Sequence, residues 1–168
     1  MAYASLREYQ LSLSERLQSA AAGTRVASKL GLRAGGEAWL VDLKEAGEVI
    51  PVPAISAVPL ARQWFKGVAN VRGNLYSVSD LGALLGLQAT PMTDRARLLL
   101  VADRFRAGAA LLIESSLGLR NAEDLRYQPG EAPQRWVRAH YEDADGQRWK
   151  ELDVSALIQD EAFLEVSV

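Results

Sequence analysis

Apolar residues change their spacing once along this chain. Near its start Leu6, Tyr9, Leu13 and Leu17 recur at helical intervals behind Ser5-Leu6-Arg7-Glu8, whose S-x-x-E form is a capping box, and Gly23 supplies a stop. Residues 1–25 are therefore predicted as an amphipathic helix. An isolated helix this short is marginal in water, which favours docking of its apolar stripe on the domain over display to a partner. From Val26 onward the apolar runs shorten and are punctuated by Gly, Pro and Asp, the pattern of a β-rich chain rather than a helical bundle.

Residues 26–33 and 38–43 flank Ala34-Gly35-Gly36-Glu37 and read as a hairpin. Residues 48–52 form a third strand, followed by a loop holding Pro51, Pro53 and Pro59, since proline removes a ladder donor and restricts pairing to edges. Residues 67–71 and 75–78 enclose Arg72-Gly73-Asn74, a second tight turn in which Gly73 and Asn74 tolerate positive φ. Asp80 then caps a short helix that Gly86 ends. The second half repeats this grammar: residues 97–102 and 107–113 flank Asp103-Arg104-Phe105-Arg106, and residues 137–141 and 148–152 flank a turn at 142–147. Asp153-Val154-Ser155-Ala156-Leu157-Ile158 echoes Asp80-Leu81-Gly82-Ala83-Leu84-Leu85, an aspartate cap with alanine and a terminal aliphatic in the same places. Two strands feeding two like helices predict an all-β chain of two similar small barrels with a groove between them, a place where ligands and partner segments bind.

Length and charge narrow the functional classes. The 168 residues fit one domain or one unit of two small lobes, and 19 basic residues against 21 acidic ones leave a formal charge of -2. Such a balance suits neither nucleic acid nor an anionic membrane surface as a partner. With no cysteine in the chain, thiolate chemistry is excluded and a reducing compartment is expected. No apolar run reaches the ~18 residues of a membrane span, and the first residues lack the order of a signal peptide, so the expected location is cytoplasmic.

Candidate chemistry is sparse. His140 is the only histidine: a hydrolase triad is arithmetically possible with it but no G-x-S-x-G elbow is present, one imidazole without a thiolate cannot make the usual zinc ligand set, and no cofactor is expected. Asp143-Ala144-Asp145-Gly146 opens like a calcium loop but lacks the oxygens that should follow and reads as a hairpin turn. Gly35-Gly36 reads as another turn, Glu123-Asp124 and Asp160-Glu161 as solvated connections, and Trp39, Trp64, Trp136 and Trp149 as core packing rather than base stacking. The chain is expected not to be an enzyme.

One stretch is more specific. Gln63-Trp64-Phe65-Lys66-Gly67-Val68-Ala69-Asn70-Val71-Arg72-Gly73-Asn74, followed by Val78-Ser79-Asp80-Leu81, resembles the turn, strand, aspartate cap and helix of the CheW family of chemotaxis adaptors. Together with the closing Phe163-Leu164-Glu165-Val166-Ser167-Val168, it is similar to the pilus-type members that govern twitching motility. The resemblance runs from about Lys29 to Val168 and is weak over residues 120–135. It implies residues 26–168 as a CheW-like domain of two interleaved SH3-like barrel lobes, a short helix after each, behind the N-terminal helix of residues 1–25. It implies a scaffold whose partners are a chemoreceptor's cytoplasmic tip, seated in an apolar groove between lobes, and a CheA-type histidine kinase, met at a lobe edge. Carried over by residue, Glu48, Val49 and Ile50 match the family's E-V/I-I strand, and Val71, Arg72 and Gly73 match its L-R-G turn; these line or brace the receptor-facing surface. The leading segment lies outside the core match, and Ser77 stands where the family has proline, so the strand keeps a donor there.

Arg72 carries a planar fork of donors, so on physical grounds it either locks the lobe by pairing with Glu48, reaches a partner, or stands as an unremarkable surface arginine. A protein that binds a small molecule in the interlobe groove is the alternative to an adaptor.

Overall fold

Short apolar runs broken by glycine, proline and aspartate give short strands, and the computed structural model, which describes residues 28–168, is built from them. The expected helix of residues 1–25 lies outside the described residues. In chain order the strands are β1 (Ser28–Ala34), β2 (Glu37–Asp42), β3 (Ala46–Pro51), β4 (Ile55–Ser56), β5 (Phe65–Val71) and β6 (Asn74–Asp80). They continue as β7 (Arg97–Val101), β8 (Ala109–Ile113), β9 (Ser115–Asn121), β10 (Leu125–Tyr127), β11 (Val137–Asp143) and β12 (Arg148–Leu152). A helical turn, α1 (Leu81–Leu84), follows β6, and α2 (Val154–Gln159) and α3 (Glu161–Leu164) follow β12. The four expected hairpins are all present as antiparallel pairs. Strands β4, β9 and β10 carry no clear pattern: two are only two and three residues long, and β9 mixes serine, glycine and arginine with its leucines.

Two six-stranded sheets result, and they share one plan. The first, the terminal lobe, has the order β9-β1-β2-β12-β11-β10, and the second, the central lobe, has β3-β7-β8-β6-β5-β4. Each contains one parallel pair, β2 with β12 and β6 with β8, and every other pairing is antiparallel. From β3 the chain completes the central lobe without leaving it, then builds four strands of the terminal lobe. The β1–β2 hairpin supplies the missing two. The lobes are interleaved because the hairpin that opens the described chain belongs with strands that close it.

The repeat extends to single hydrogen bonds. Asp80 N–H donates to the Trp64 carbonyl at 2.7 Å, and Asp153 N–H donates to the Trp136 carbonyl at 2.7 Å. Asp80 Oδ1 accepts from Ala83 N–H at 3.3 Å, and Asp153 Oδ1 accepts from Ala156 N–H at 3.0 Å, satisfying free amides at the helix starts. Gly82, where the second copy has Ser155, is obligatory for closeness: a Cβ there would lie 2.1 Å from the Gln88 carbonyl oxygen and 3.0 Å from Gly35 N in the terminal lobe's hairpin.

Strands with both faces covered hold the two lobes together. In β7 and β8, Leu98, Leu100, Ala110 and Leu112 face the central lobe's own core, while Leu99, Val101, Leu111 and Ile113 face a layer shared with the other lobe. In β2, Ala38 and Leu40 point into the terminal lobe's core, whereas Trp39 and Val41 join the shared layer. This period of two with burial on both sides explains why Leu98-Leu99-Leu100-Val101 reads as an unbroken apolar run. The shared layer is the largest of the three cores, and Leu152 at the end of β12, with Val154, Leu157 and Phe163 of the C-terminal helices, completes it.

Buried charge secures the crossover between lobes. Glu45, in the turn from β2 to β3, accepts from Ser155 N–H at the start of α2 at 2.8 Å and meets Arg138 Nη2 at 2.5 Å. Its carbonyl accepts from Ala102 N–H of the central lobe at 3.0 Å. Arg138 also reaches Asp153 at 2.9 Å, and a buried Lys29–Glu151 pair lies alongside. Burial alone would lower Arg138, but the carboxylates of Glu45 and Asp153 raise it above the ordinary guanidinium value. Asp160 plays a similar part nearer the C-terminus. Expected as a solvated connection, it caps α3 through Ala162 N–H at 2.9 Å, accepts from Arg135 Nε and Nη2 at 2.9 and 2.6 Å, and accepts from Trp136 Nε1 at 2.8 Å. These bonds hold Trp136 in the left-handed region at φ 63.

Two outcomes follow from this arrangement. Leu111→Ala, at a fully buried position of the shared layer, is expected to cost about 2–5 kcal/mol and to lower the urea midpoint of far-UV circular dichroism and tryptophan fluorescence together; two separate transitions would show that the lobes fold independently. The hydrogen bond from Arg135, followed by that from Ala162, pushes the Asp160 carboxyl down from 3.8 to about 2. Its contribution is therefore present above the unfolded value and lost as pH falls from 3.8 through about 2. Acid titration of thermal stability should show a loss in that window that Asp160→Asn lacks.

Candidate functional site

The sequence directs attention to the β5–β6 turn, and its geometry is unusual. Only Arg72 and Gly73 join the strands, because Val71 pairs with Asn74 across the turn. Both take positive φ, 49° and 87°, as a two-residue turn matched to the twist of a hairpin requires. The expectation of positive φ at Gly73 and Asn74 is thus half right: Asn74 already belongs to β6, and Arg72 carries the left-handed backbone instead. Such a conformation costs an ordinary residue about 1–2 kcal/mol. Asn70 helps to hold it, since its Oδ1 accepts from Gly73 N–H at 2.9 Å. A Cβ on Gly73 would meet nothing within 4 Å, so glycine is needed there for its φ and not for space.

The fork of Arg72 engages Glu48 with both arms, Nη1 donating to Oε1 at 3.3 Å and Nη2 to Oε2 in a closer contact. Glu48 is placed for this by β3, whose register on β7 slips between Ala46 and Val49 and re-aims the side chain between them. The hydrogen bond from Arg72 holds the Glu48 carboxyl below its usual value against a smaller opposing effect of burial, and Glu48 in turn raises Arg72. The two side chains are 66% and 48% exposed, so water screens the pair and it adds little to fold stability. What it does is orient a charged fork at the tip of a lobe.

The other sequence-selected residues brace this tip. Val71 is buried in the central lobe's core, Ile50 packs at the margin of that core, and Val49 packs against the shared layer. Glu48, Arg72 and Gly73 are brought together at the surface, and Leu75 stands beside them 66% exposed. Ser77 keeps the donor that a proline would lack: its N–H donates to Gly108 O at 2.8 Å, joining β6 to the entry of β8.

The shared layer fills the middle of the seam between lobes, and clefts open at its margins. One, of about 500 Å³, is walled by Phe65, Phe105, Ile158, Phe163 and Leu164, and another, of about 320 Å³, by Trp39, Leu84, Leu87 and Trp136. His140 lies in β11 opposite Lys150. The carboxylate of Asp143 accepts from Asp145 N–H, Gln147 N–H and Trp149 Nε1 at 2.9, 2.9 and 3.0 Å, so its oxygens close the hairpin. Among the described residues no three His, Cys, Asp or Glu side chains are grouped to hold a metal ion.

Glu45 and Arg138 carry no local signal, and Asp160 reads locally as a solvated connection, because their partners are brought to them by the fold. One signal was available. Asp80 lies sixteen positions after Trp64 and Asp153 seventeen positions after Trp136, the two ends of the bond that closes each repeat.

Comparison with known proteins agrees with this geometry. The family model described as the CheW-like domain matches residues 29–162. The chain is 32% identical over 148 residues to Protein PilI of Pseudomonas aeruginosa, a match covering 84% of this chain and 80% of that protein. The crystal structure of the scaffolding protein TtCheW from Thermoanaerobacter tengcongensis superposes with a TM-score of 0.61 at 15% identity, covering 75% of this chain and 88% of that one, and so shares its fold.

Because Arg72 occupies a backbone region that asparagine tolerates better, Arg72→Asn is expected to leave stability unchanged or to raise it by up to about 1 kcal/mol. Urea denaturation checks this; a clear loss of stability would assign the Arg72–Glu48 pair to holding the lobe together.

Proposed function

The chain belongs to the CheW family, and on that premise we propose that it is a non-enzymatic adaptor coupling the cytoplasmic tip of a chemoreceptor to a CheA-type histidine kinase in a pilus-type chemosensory system. The observation that carries this reading is the tip of the central lobe: an arginine kept in a costly backbone conformation, with its fork oriented by Glu48, where it contributes little to the fold. Strain of this kind is kept where a side chain must be presented in one direction.

In this role Glu48, Arg72 and Gly73 form the contacting lip, and Val49, Ile50 and Val71 brace it from below. Residues 26–168 act as the adaptor domain and residues 1–25 as a separate leading element. The likeness to Protein PilI supports the pilus-type assignment within the family. A cytoplasmic location fits partners of this kind, and no helix among the described residues is long and apolar enough to cross a membrane. The role requires two partners held at once and no bond-making step.

Capture of a purified CheA-type kinase together with a receptor-tip peptide tests the proposal. Arg72→Ala and Glu48→Ala should retain the native circular dichroism spectrum and bind the pair about tenfold more weakly, the loss expected when one side of a charged contact is removed. Undiminished capture by both folded variants would refute the partner role of the lip.

A further inference from the structure

The mouth of the terminal lobe has the properties of a separate ligand site. The private core of this lobe is thin, with only Ala38, Leu40, Leu125 and Trp149 fully enclosed. Its parallel strands β2 and β12 are in register only at Trp39 with Lys150 and Leu40 with Glu151, so nearer their starts they part. A cavity of about 430 Å³ occupies that gap, a size within the ~300–1,000 Å³ of small-molecule sites. Buried Ala38 and Trp149, with Tyr141 beside them, give it an apolar floor. Burial first, and then the charge of Glu151, raise the Tyr141 phenol above its ordinary value, so it stays a neutral donor.

The rim is cationic and only partly neutralised. It carries Arg33, Arg148 and Lys150 against Glu37 and Glu131. Lys150 is matched by Glu37 at 3.0 Å. Arg148 has only a loose partner, Glu131 at 3.8 Å, with the two side chains 79% and 46% exposed, so an incoming anion can replace it at little cost. Arg33 pairs with no carboxylate among the described residues; its Nη1 donates to the Gly36 carbonyl at 3.1 Å, leaving the rest of its fork unengaged by protein. A spare guanidinium above an apolar floor is the arrangement that orients an anion with a flat apolar body.

We infer that this mouth binds a small organic carboxylate, its charged end on Arg33 and Arg148 and its apolar body against Trp149 and Tyr141. The site lies in the lobe that does not carry the Arg72 lip, and the inference does not rest on the coupling role.

Titration of the full chain with benzoate, followed by the amide and indole resonances in ¹H–¹⁵N NMR, tests it, with benzamide as the neutral isostere. Benzoate should shift the Trp149 and His140 signals saturably, and benzamide should bind about tenfold more weakly, as should benzoate to Arg33→Met or Arg148→Met. Arg148 is exposed, so its variant decides the question should Arg33→Met not fold. No saturable shift, equal affinity for benzoate and benzamide, shifts confined to the central lobe, or wild-type affinity in the folded variants would overturn the inference.

Discussion

The apolar layer between the two sheets is the constraint on which the other features depend. Each lobe alone has a small private core, and neither sheet can cover the second face of its central strands without the other. The chain makes this mutual need unavoidable. It begins the described fold with a hairpin whose sheet partners, β9 and β12, are made only after the central lobe is complete. The terminal lobe therefore closes around a finished neighbour, and the residues facing that neighbour, Leu32, Val41, Leu152 and Leu157, are fully buried.

Charge is placed where the chain crosses this layer. Glu45 lies in the turn between the lobes, and removing such a carboxylate from water is costly unless each oxygen finds a donor. Arg138 and the Ser155 amide of α2 supply those donors, which fixes the crossover in one position. Asp160 does the same for the C-terminal helices by gathering Arg135 and Trp136. Phe163 then stacks on Trp64 at 6.2 Å, and the last residues pair with the central lobe at Ala61 and Ser167. The C-terminal segment straps the two halves of the seam.

With the interior settled in this way, the two lobes can differ at their rims. Their strand order, parallel pair, tryptophan carbonyl and aspartate cap are the same. At the hairpin after that tryptophan they diverge. The central lobe has a two-residue turn that projects an arginine, and the terminal lobe has a longer acidic turn whose aspartate is spent on its own backbone. A common scaffold thus presents a charged turn on one side and an open, cation-rimmed mouth on the other.

Much of the fold was legible in the sequence because its signals are local. Gly35-Gly36, Gly73 and Asp145-Gly146 mark hairpins through the backbone angles they permit, and Asp80 and Asp153 mark helix starts through side chains that reach amides three residues on. The resemblance at Lys66 to Gly73 pointed to the lip for the same reason, since turn and strand are contiguous there. Lobe membership was not legible: hydrophobic alternation says that β1 and β2 pair, but not that β9 and β12 flank them. The left-handed backbone of Arg72 was also hidden, because the register that places Asn74 opposite Val71 is set by the whole sheet. So were the roles of Glu45 and Asp160, which depend on donors brought to them from elsewhere in the chain. By itself the sequence determined the strands, turns and caps, which rest on contacts within a few residues. Only the tertiary structure decided which strands share a sheet and which charges are enclosed, because those depend on what each surface is packed against.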